Sequence, residues 1–426
     1  MTGSGLLGRY REVFVLPHLP GVLFWGLVGR LPLACTSLVI TFLIAGWTGS
    51  YTLAGIVVGA LAVCQGVAGP WRGRAVDRGR AVRTVVLTSS GYAAGLAVLA
   101  GLPVLLPAAG WPVAVAVAAV TGLALPPVGQ ITRASWPRLA PSELRDSLYT
   151  MDATLQEFLF VVGPLAVAAA VALAGPGSGV LLVAGFALVG GGGFAVVIRR
   201  AGLDAPLRTP PPAILPNPFS ETSRAAPGRQ RSVLAEPGLA VLIVVMGLLA
   251  ASLIGTDLVI IAWAREQGKP FLAGVLAAVW AAGSVLGGVI MGARRAAVPP
   301  RLGLRLSAMC AGIFALAAVL IGPISPVVLG VVLFLGGTAI APALAAVYGG
   351  IAQRAPQHRR AEAFGWQSSA AMAGATLVAP AVGICLDRAG PAAGAAAAGL
   401  ALAVAVAIVT ATGAARASRS GEDGVS

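Results

Sequence analysis

Charge is what this sequence lacks most. Only 10% of its 426 residues are Asp, Glu, Lys or Arg, where a soluble domain usually carries about 25%. Such a chain cannot cover a water-facing surface, which excludes a soluble globular fold for most of its length. Histidine is scarcer still. His18 and His358 stand alone, which argues against a zinc site, and no metal-ligand set is expected. The four cysteines, Cys35, Cys64, Cys310 and Cys385, are scattered through apolar runs with no C-x-x-C pair. Neither a disulfide framework nor a redox motif is expected. Gly268-Lys269 runs into Pro270, so no G-x-x-x-x-G-K-[ST] loop forms, which argues against ATP-driven work. No acid pair at catalytic spacing appears, and the chain does not read as an enzyme.

What is there is apolar. Hydrophobic residues make up 58%, mean hydropathy is +0.90 and glycine alone counts 57. Lipid is the natural solvent for such a chain, and small residues let membrane helices approach closely. A crossing helix needs about 20 mostly apolar residues. That rule predicts an all-α integral membrane protein with twelve crossings, at 21–45, 52–71, 85–106, 111–132, 148–174 and 178–198, then 238–263, 271–293, 302–322, 326–349, 363–385 and 391–414. The first run is too long for a cleavable signal and no A-x-A site closes it, so the N-terminus is expected to stay.

The few charges test this count. The formal charge of +14 could suggest nucleic acid. However, the arginines come in small groups between apolar runs, the pattern of a membrane's cytoplasmic face, and no nucleic-acid partner is expected. With both termini cytoplasmic, 25 of the 29 Lys and Arg fall in inside segments. Outside lie Arg265, Lys269 and Arg388, and Arg30 remains within the first crossing. The densest group, the five arginines of "GPWRGRAVDRGRAVR" from Gly69 to Arg83, then lies in a cytoplasmic loop between crossings 2 and 3. The polar, Pro- and Arg-rich stretch 199–237 reads as a cytoplasmic linker. It divides an N-terminal six-helix half, 1–198, from a C-terminal half with a short cytoplasmic tail, 238–426.

The halves repeat each other. At an offset of 219, Leu53, Ala54, Gly55, Gly69 and Gly73 fall on Leu272, Ala273, Gly274, Gly288 and Gly292. At an offset of 215, Gly122 meets Gly337, Pro127 meets Pro342 and Arg145 meets Arg360. Even spans with both starts inside imply a parallel repeat, related by a pseudo-two-fold along the membrane normal.

That repeat, with Gly73-Arg74-Ala75-Val76-Asp77-Arg78-Gly79-Arg80 in the loop, resembles the major facilitator superfamily. The loop matches the family's signature except that its second glycine follows Arg78 directly. "FVVGPLAVAAA", through Gly163 and Pro164, resembles the Gly-Pro motif of antiporter members, with Val167 and Ala168 where a glycine pair usually stands. "LAGVLAAVWAAGSVLGGVIMGARR" and "EAFGWQSSAAMAGATL" are similar to actinobacterial drug-efflux-like members. The resemblance implies a secondary transporter working by alternating access. Its expected cargo is a small lipophilic or amphipathic molecule, exported in exchange for protons with no cofactor. A monomer in the cell membrane is expected, with the bilayer and the small molecule as its partners. An importer or uniporter of the same fold, or a receptor or scaffold without transport, stays open. The resemblance further implies that Asp77 latches the cytoplasmic ends of the halves together. Span 11 begins near Ala363 on that face, and a helix N-terminus suits a carboxylate.

Deep charges are the other candidates, since a charge at mid-bilayer costs about 2.5–3.5 kcal/mol even on the lenient insertion scale. Arg30 and Glu157 each lie about nine residues into their predicted crossings, or ~14 Å deep. Equal depth and opposite charge suggest an ion pair, either structural or with Glu157 exchanging protons. Asp152 is shallower and can reach a loop arginine. Asp257 is the one acid within a crossing of the second half, bound for an outer vestibule or for the central cavity. Thr36, Gln130, Gln156 and Gln367 are the candidate polar groups of the cavity, among scattered Ser37, Thr41, Tyr348 and Ser368.

Overall fold

The computed structural model describes residues 12, 14–205, 232–236, 238–269, 271–293, 302–322 and 324–422. Most of the predicted linker, 206–231, lies outside the described residues. So do the inside arginines at 294, 295 and 301. The described secondary structure is helical throughout, with no strand among the described residues. Among the described residues, ten helical segments are long and apolar enough to cross a bilayer. Two of them, Tyr51–Leu105 and Gln357–Thr412, have 55 and 56 residues. At 1.5 Å per residue each would run ~80 Å, more than twice the ~30 Å hydrocarbon core. Each is broken by one glycine with non-helical backbone, Gly79 (φ 75°) and Gly390 (φ 75°), a conformation that a Cβ would oppose.

The helices are α1 Leu19–Val28, α2 Leu31–Thr48, α3 Tyr51–Ala75, α4 Ala81–Leu105, α5 Trp111–Leu123, α6 Val128–Leu139, α7 Ser142–Ala174 and α8 Pro176–Arg200. They continue with α9 Leu239–Glu266, α10 Phe271–Ala293, α11 Leu302–Val319, α12 Pro326–Gly337, α13 Ile340–Arg354 and α14 Arg360–Glu422. A π-turn, Val76–Arg80, joins α3 to α4.

Three of the apolar segments are interrupted partway. The α1–α2 break falls at Gly29-Arg30, just before Pro32. There α8 crosses so closely that a Cβ on Gly190 would lie 2.6 Å from the Gly29 nitrogen. The α5–α6 break holds Pro126 and Pro127, which lack N–H groups and disfavour helix in the residue before them. The carbonyls freed in this way need donors inside the protein. Arg72 supplies them through Nη1, which donates to Leu125 O (2.5 Å) and Leu123 O (3.5 Å), while its Nη2 donates to Gln65 O of its own helix (2.6 Å). The sequence count puts Arg72 in the loop. The structure buries it at 7% exposure within α3. The third break, between α12 and α13, follows Gly337, whose Cα lies against the Trp280 carbonyl.

The residues matched by the repeat lie at corresponding helix crossings. On α3, a Cβ at Gly69 would come within 2.7 Å of Gly365 O, and at Gly73 within 2.3 Å of Ala361 O, both on α14. On α10, Gly288 is filled by Thr154 of α7, and the Gly292 carbonyl accepts from Ser147 of α7 at 3.0 Å. Gly55, Gly59, Gly66, Gly69 and Gly73 fall within about 40° of one face of α3. The last three meet α14, but a Cβ on Gly55 or Gly59 would have nothing within 4 Å, and the same holds for Gly274 of α10. On this face α3 is in close contact with α14 at the end carrying Asp77, and its glycines toward the other end have open space.

Candidate functional site

The centre of the bundle holds a charge cluster built on one carboxylate. Asp152, on α7, receives Arg30 Nη2 at Oδ1 (2.6 Å) and Arg133 Nε at Oδ2 (2.7 Å), with all three side chains at 6% exposure or less. Arg30 reaches it from the α1–α2 break and Arg133 from α6. Arg133 also donates from Nη1 to Gln367 Oε1 of α14 (3.3 Å) and from Nη2 to Gln156 Oε1 of α7. Its guanidinium lies 3.8 Å over the Tyr348 ring of α13, a desolvated cation–π contact. One side chain thus ties α6, α7, α13 and α14 together. The planar, five-donor geometry of guanidinium allows this and an ammonium would not.

The expected Arg30–Glu157 pair is replaced by Arg30–Asp152. The crossing expected to start at residue 148 belongs to a helix that begins at Ser142, so Glu157 lies deeper than Arg30's partner must. Five residues also turn a helix by about 140° beyond a full circle, so Asp152 and Glu157 point to different neighbours. Arg133 was hidden because the apolar run appeared to end at 132. The available signal was Gln130 and Arg133 at i, i+3, a spacing that shares one helix face.

Glu157 instead comes within electrostatic reach of Asp257, on α9. Both are half-buried, and neither has a hydrogen bond or ion pair with a described residue. Among the other expected cavity residues, Thr36 is occupied in a buried chain. Gln65 Nε2 donates to Tyr92 Oη (3.3 Å), which donates to Thr36 Oγ1 (2.8 Å), which donates to Pro32 O (2.6 Å). That places Thr36 in the packing of α2 against α3 and α4, away from any open wall, because its face of α2 is the buried one. Gln130 is buried with its Oε1 unpartnered, while Gln156 and Gln367 both serve Arg133. Gly163 is a contact point, since a Cβ there would lie 2.7 Å from Cys35 Sγ. Pro164 is accommodated inside continuous α7.

A second charged group lies at the end where α3 and α14 meet. Asp77, on the π-turn, accepts the Ala361 N–H at Oδ1 (3.0 Å) and the Glu362 N–H at Oδ2 (2.8 Å). Those are orphan donors in the first turn of α14, where the helix dipole is positive. Burial pushes the Asp77 carboxyl up to about 7, against the pull of the two N–H groups and Arg359. Glu362 is itself held by Arg74 Nε (2.8 Å) and by Arg359 Nε and Nη2 (2.9 and 2.8 Å). Gly79 supplies the left-handed turn behind Asp77. Arg78 and Arg80 are exposed, with no ion pair to a described residue.

A many-helix apolar bundle with charge gathered at its centre and a bolt at one end defines a multi-pass membrane protein of the transporter type. The family model described as Major Facilitator Superfamily matches residues 22–366, and the chain belongs to that superfamily. No curated protein sequence matches it. Solved structures share the fold at low identity. A bacterial homologue of the iron transporter ferroportin, in its outward-facing state, is 15% identical with a TM-score of 0.72, over 93% of this chain and 99% of that one. The human organic anion transporter MFSD10 is 15% identical with a TM-score of 0.65, over 93% and 99%. The E. coli fucose:proton symporter FucP is 14% identical with a TM-score of 0.64, over 92% and 98%.

Proposed function

We propose that the protein is a secondary active transporter that exports a small lipophilic or amphipathic molecule in exchange for protons. The observation that carries this reading is the pair Glu157 and Asp257, two half-buried carboxylates on different helices within electrostatic reach, neither with an ion pair to a described residue. Like charges sharing one poorly solvated space are relieved by a proton, which makes such a pair a site where protons can bind and leave. The proton gradient then supplies the energy, and no cofactor enters. Dividing the two long apolar segments at Gly79 and Gly390 gives twelve crossings in two six-helix halves. The repeat-matched crossings at Gly69/Gly73 and Gly288/Gly292 support a pseudo-two-fold between them. The arginine distribution favours cytoplasmic termini in the cell membrane, so the end carrying Asp77 faces the cytoplasm and the protein is outward-open. A monomer is sufficient for this cycle.

The test is substrate-triggered proton flux in proteoliposomes, screened over chemically diverse amphipathic compounds. Wild type should acidify or alkalinise the lumen only with a transported compound and a pH gradient. Glu157→Gln should retain exchange while losing gradient-driven accumulation. Gradient-driven accumulation at the wild-type level by the Glu157→Gln, Asp257→Asn double variant would overturn proton coupling. Uptake that needs no gradient would identify a uniporter.

A further inference from the structure

The cluster around Asp152 sets two guanidiniums against one carboxylate, leaving one positive charge in excess inside the bundle. Three buried polar atoms around it have no partner: Arg30 Nε, Tyr348 Oη and Gln130 Oε1. Buried polar groups are nearly always hydrogen-bonded, so three orphans in one neighbourhood call for an explanation. Their placement is also specific. Arg30 engages Asp152 through Nη2, and its Nε lies 3.5 Å from where a Cβ on Gly129 would be, next to Gln130. Tyr348 stacks under Arg133 and is within electrostatic reach of Arg30, Arg133, Asp152 and Glu157.

Each guanidinium nitrogen of Arg133 has a partner, but the Arg30 Nε has none. Two of the orphans, the Arg30 Nε–H and the Tyr348 O–H, are donors, and a half-turn of the Gln130 amide presents N–H groups in place of its free oxygen. Excess positive charge together with unfilled donors is the complement of an anion, and a guanidinium edge is suited to a planar carboxylate. Glu157 lies within electrostatic reach of Tyr348, but the ion pairs of both arginines go to Asp152 and not to Glu157 or Asp257. Proton binding and anion binding therefore use different groups.

We propose that Arg30, Tyr348 and Gln130 form a receptor for the carboxylate of a small amphipathic organic acid, which is the substrate class of this transporter. The inference rests on the transport reading for its physiological meaning, but the receptor itself can be tested by binding alone. The probe is radiolabelled 2-naphthoate, bound to the full-length protein in lipid nanodiscs and competed with unlabelled 2-naphthoate or its neutral isostere 2-naphthamide. Wild type should prefer the acid by about tenfold or more, the value of a hydrogen bond to a charged group. Arg30→Gln should erase that preference and Arg30→Lys should restore part of it, because Asp152 keeps Arg133 in both. Tyr348→Phe keeps the ring under Arg133 and removes only the hydroxyl, and should weaken 2-naphthoate binding several-fold. Absence of binding to wild type, equal affinity for acid and amide, or an undiminished preference in Arg30→Gln would each overturn the receptor. If Arg30→Gln does not fold, Tyr348→Phe decides, and unchanged 2-naphthoate binding there overturns it. Acid-selective binding without any flux in proteoliposomes would instead remove the transport reading and leave the receptor standing. Transport of neutral compounds with no acid preference would do the reverse.

Discussion

Asp152 is buried and Asp77 half-buried, and both hold helices together, but by different means. Asp77 binds two backbone N–H groups at the first turn of α14. Its partners exist wherever a helix begins, so the contact can form and part without leaving a charge stranded. Asp152 binds two guanidiniums that come from α6 and the α1–α2 break. Each member of that cluster depends on the others for neutralisation. The first arrangement suits a bolt and the second suits a fixed keystone.

The sharpest way to break this comparison is at the keystone. Asp152→Asn leaves two buried guanidiniums without a counter-charge and should destabilise the fold by about 3–5 kcal/mol. The expected readout is a large fall in thermal unfolding temperature in detergent. A shift no larger than that of Asp77→Asn would show that the cluster is not a keystone. A smaller effect is expected at the crossing beside the bolt. Gly73→Ala puts a Cβ 2.3 Å from Ala361 O, against backbone that cannot swing aside, and overpacking of this kind costs about 1–3 kcal/mol. It should part α3 from α14 while leaving helix content unchanged. Spin-label distances between α3 and α14 would lengthen, and unchanged distances would contradict the close crossing.

The smallest effect is expected at Asp77 itself. Asp77→Asn replaces one acceptor by a donor facing an N–H group and should weaken closure by about 1–2 kcal/mol, slowing transport without unfolding the protein. Its pH dependence sharpens the point. Closure raises the Asp77 carboxyl from its ordinary 3.8 to about 7, so proton binding favours the closed bolt. That contribution is complete below about 4 and is lost as pH rises through about 7. The closed population, measured by the same spin labels, should fall between pH 5 and 8 in wild type and stay flat in Asp77→Asn. A wild-type closed population that rises with pH would reverse the sign and refute the burial argument.

The contact of Asp77 with the start of α14 was implied by the family resemblance of a short local motif. Gly73, Asp77 and Gly79 fall within seven residues, and the start of α14 follows from where an apolar run resumes. The keystone was not legible in the same way. Arg30 and Asp152 were visible as deep charges, but Arg133 was counted in a loop because hydropathy falls off one residue before it. Arg72 was hidden for the same reason, although it caps carbonyls that the Pro126-Pro127 pair frees. Hydropathy ranks residues one at a time, whereas burial of an arginine depends on donors and acceptors brought from distant helices.

By itself, then, the sequence determined the solvent, the apolar runs that cross it and the repeat that places Gly69 and Gly73 with Gly288 and Gly292. Those follow from transfer free energy and backbone sterics, which act along the chain. Only the tertiary structure decided which carboxylate Arg30 meets, that Arg133 joins four helices, that Thr36 is occupied and Tyr348 is not, and at which end α3 is in close contact with α14. Those depend on azimuth and on reach across helix interfaces. A shift of five residues moves a side chain by about 140° around its helix, and only the packed bundle specifies what stands opposite.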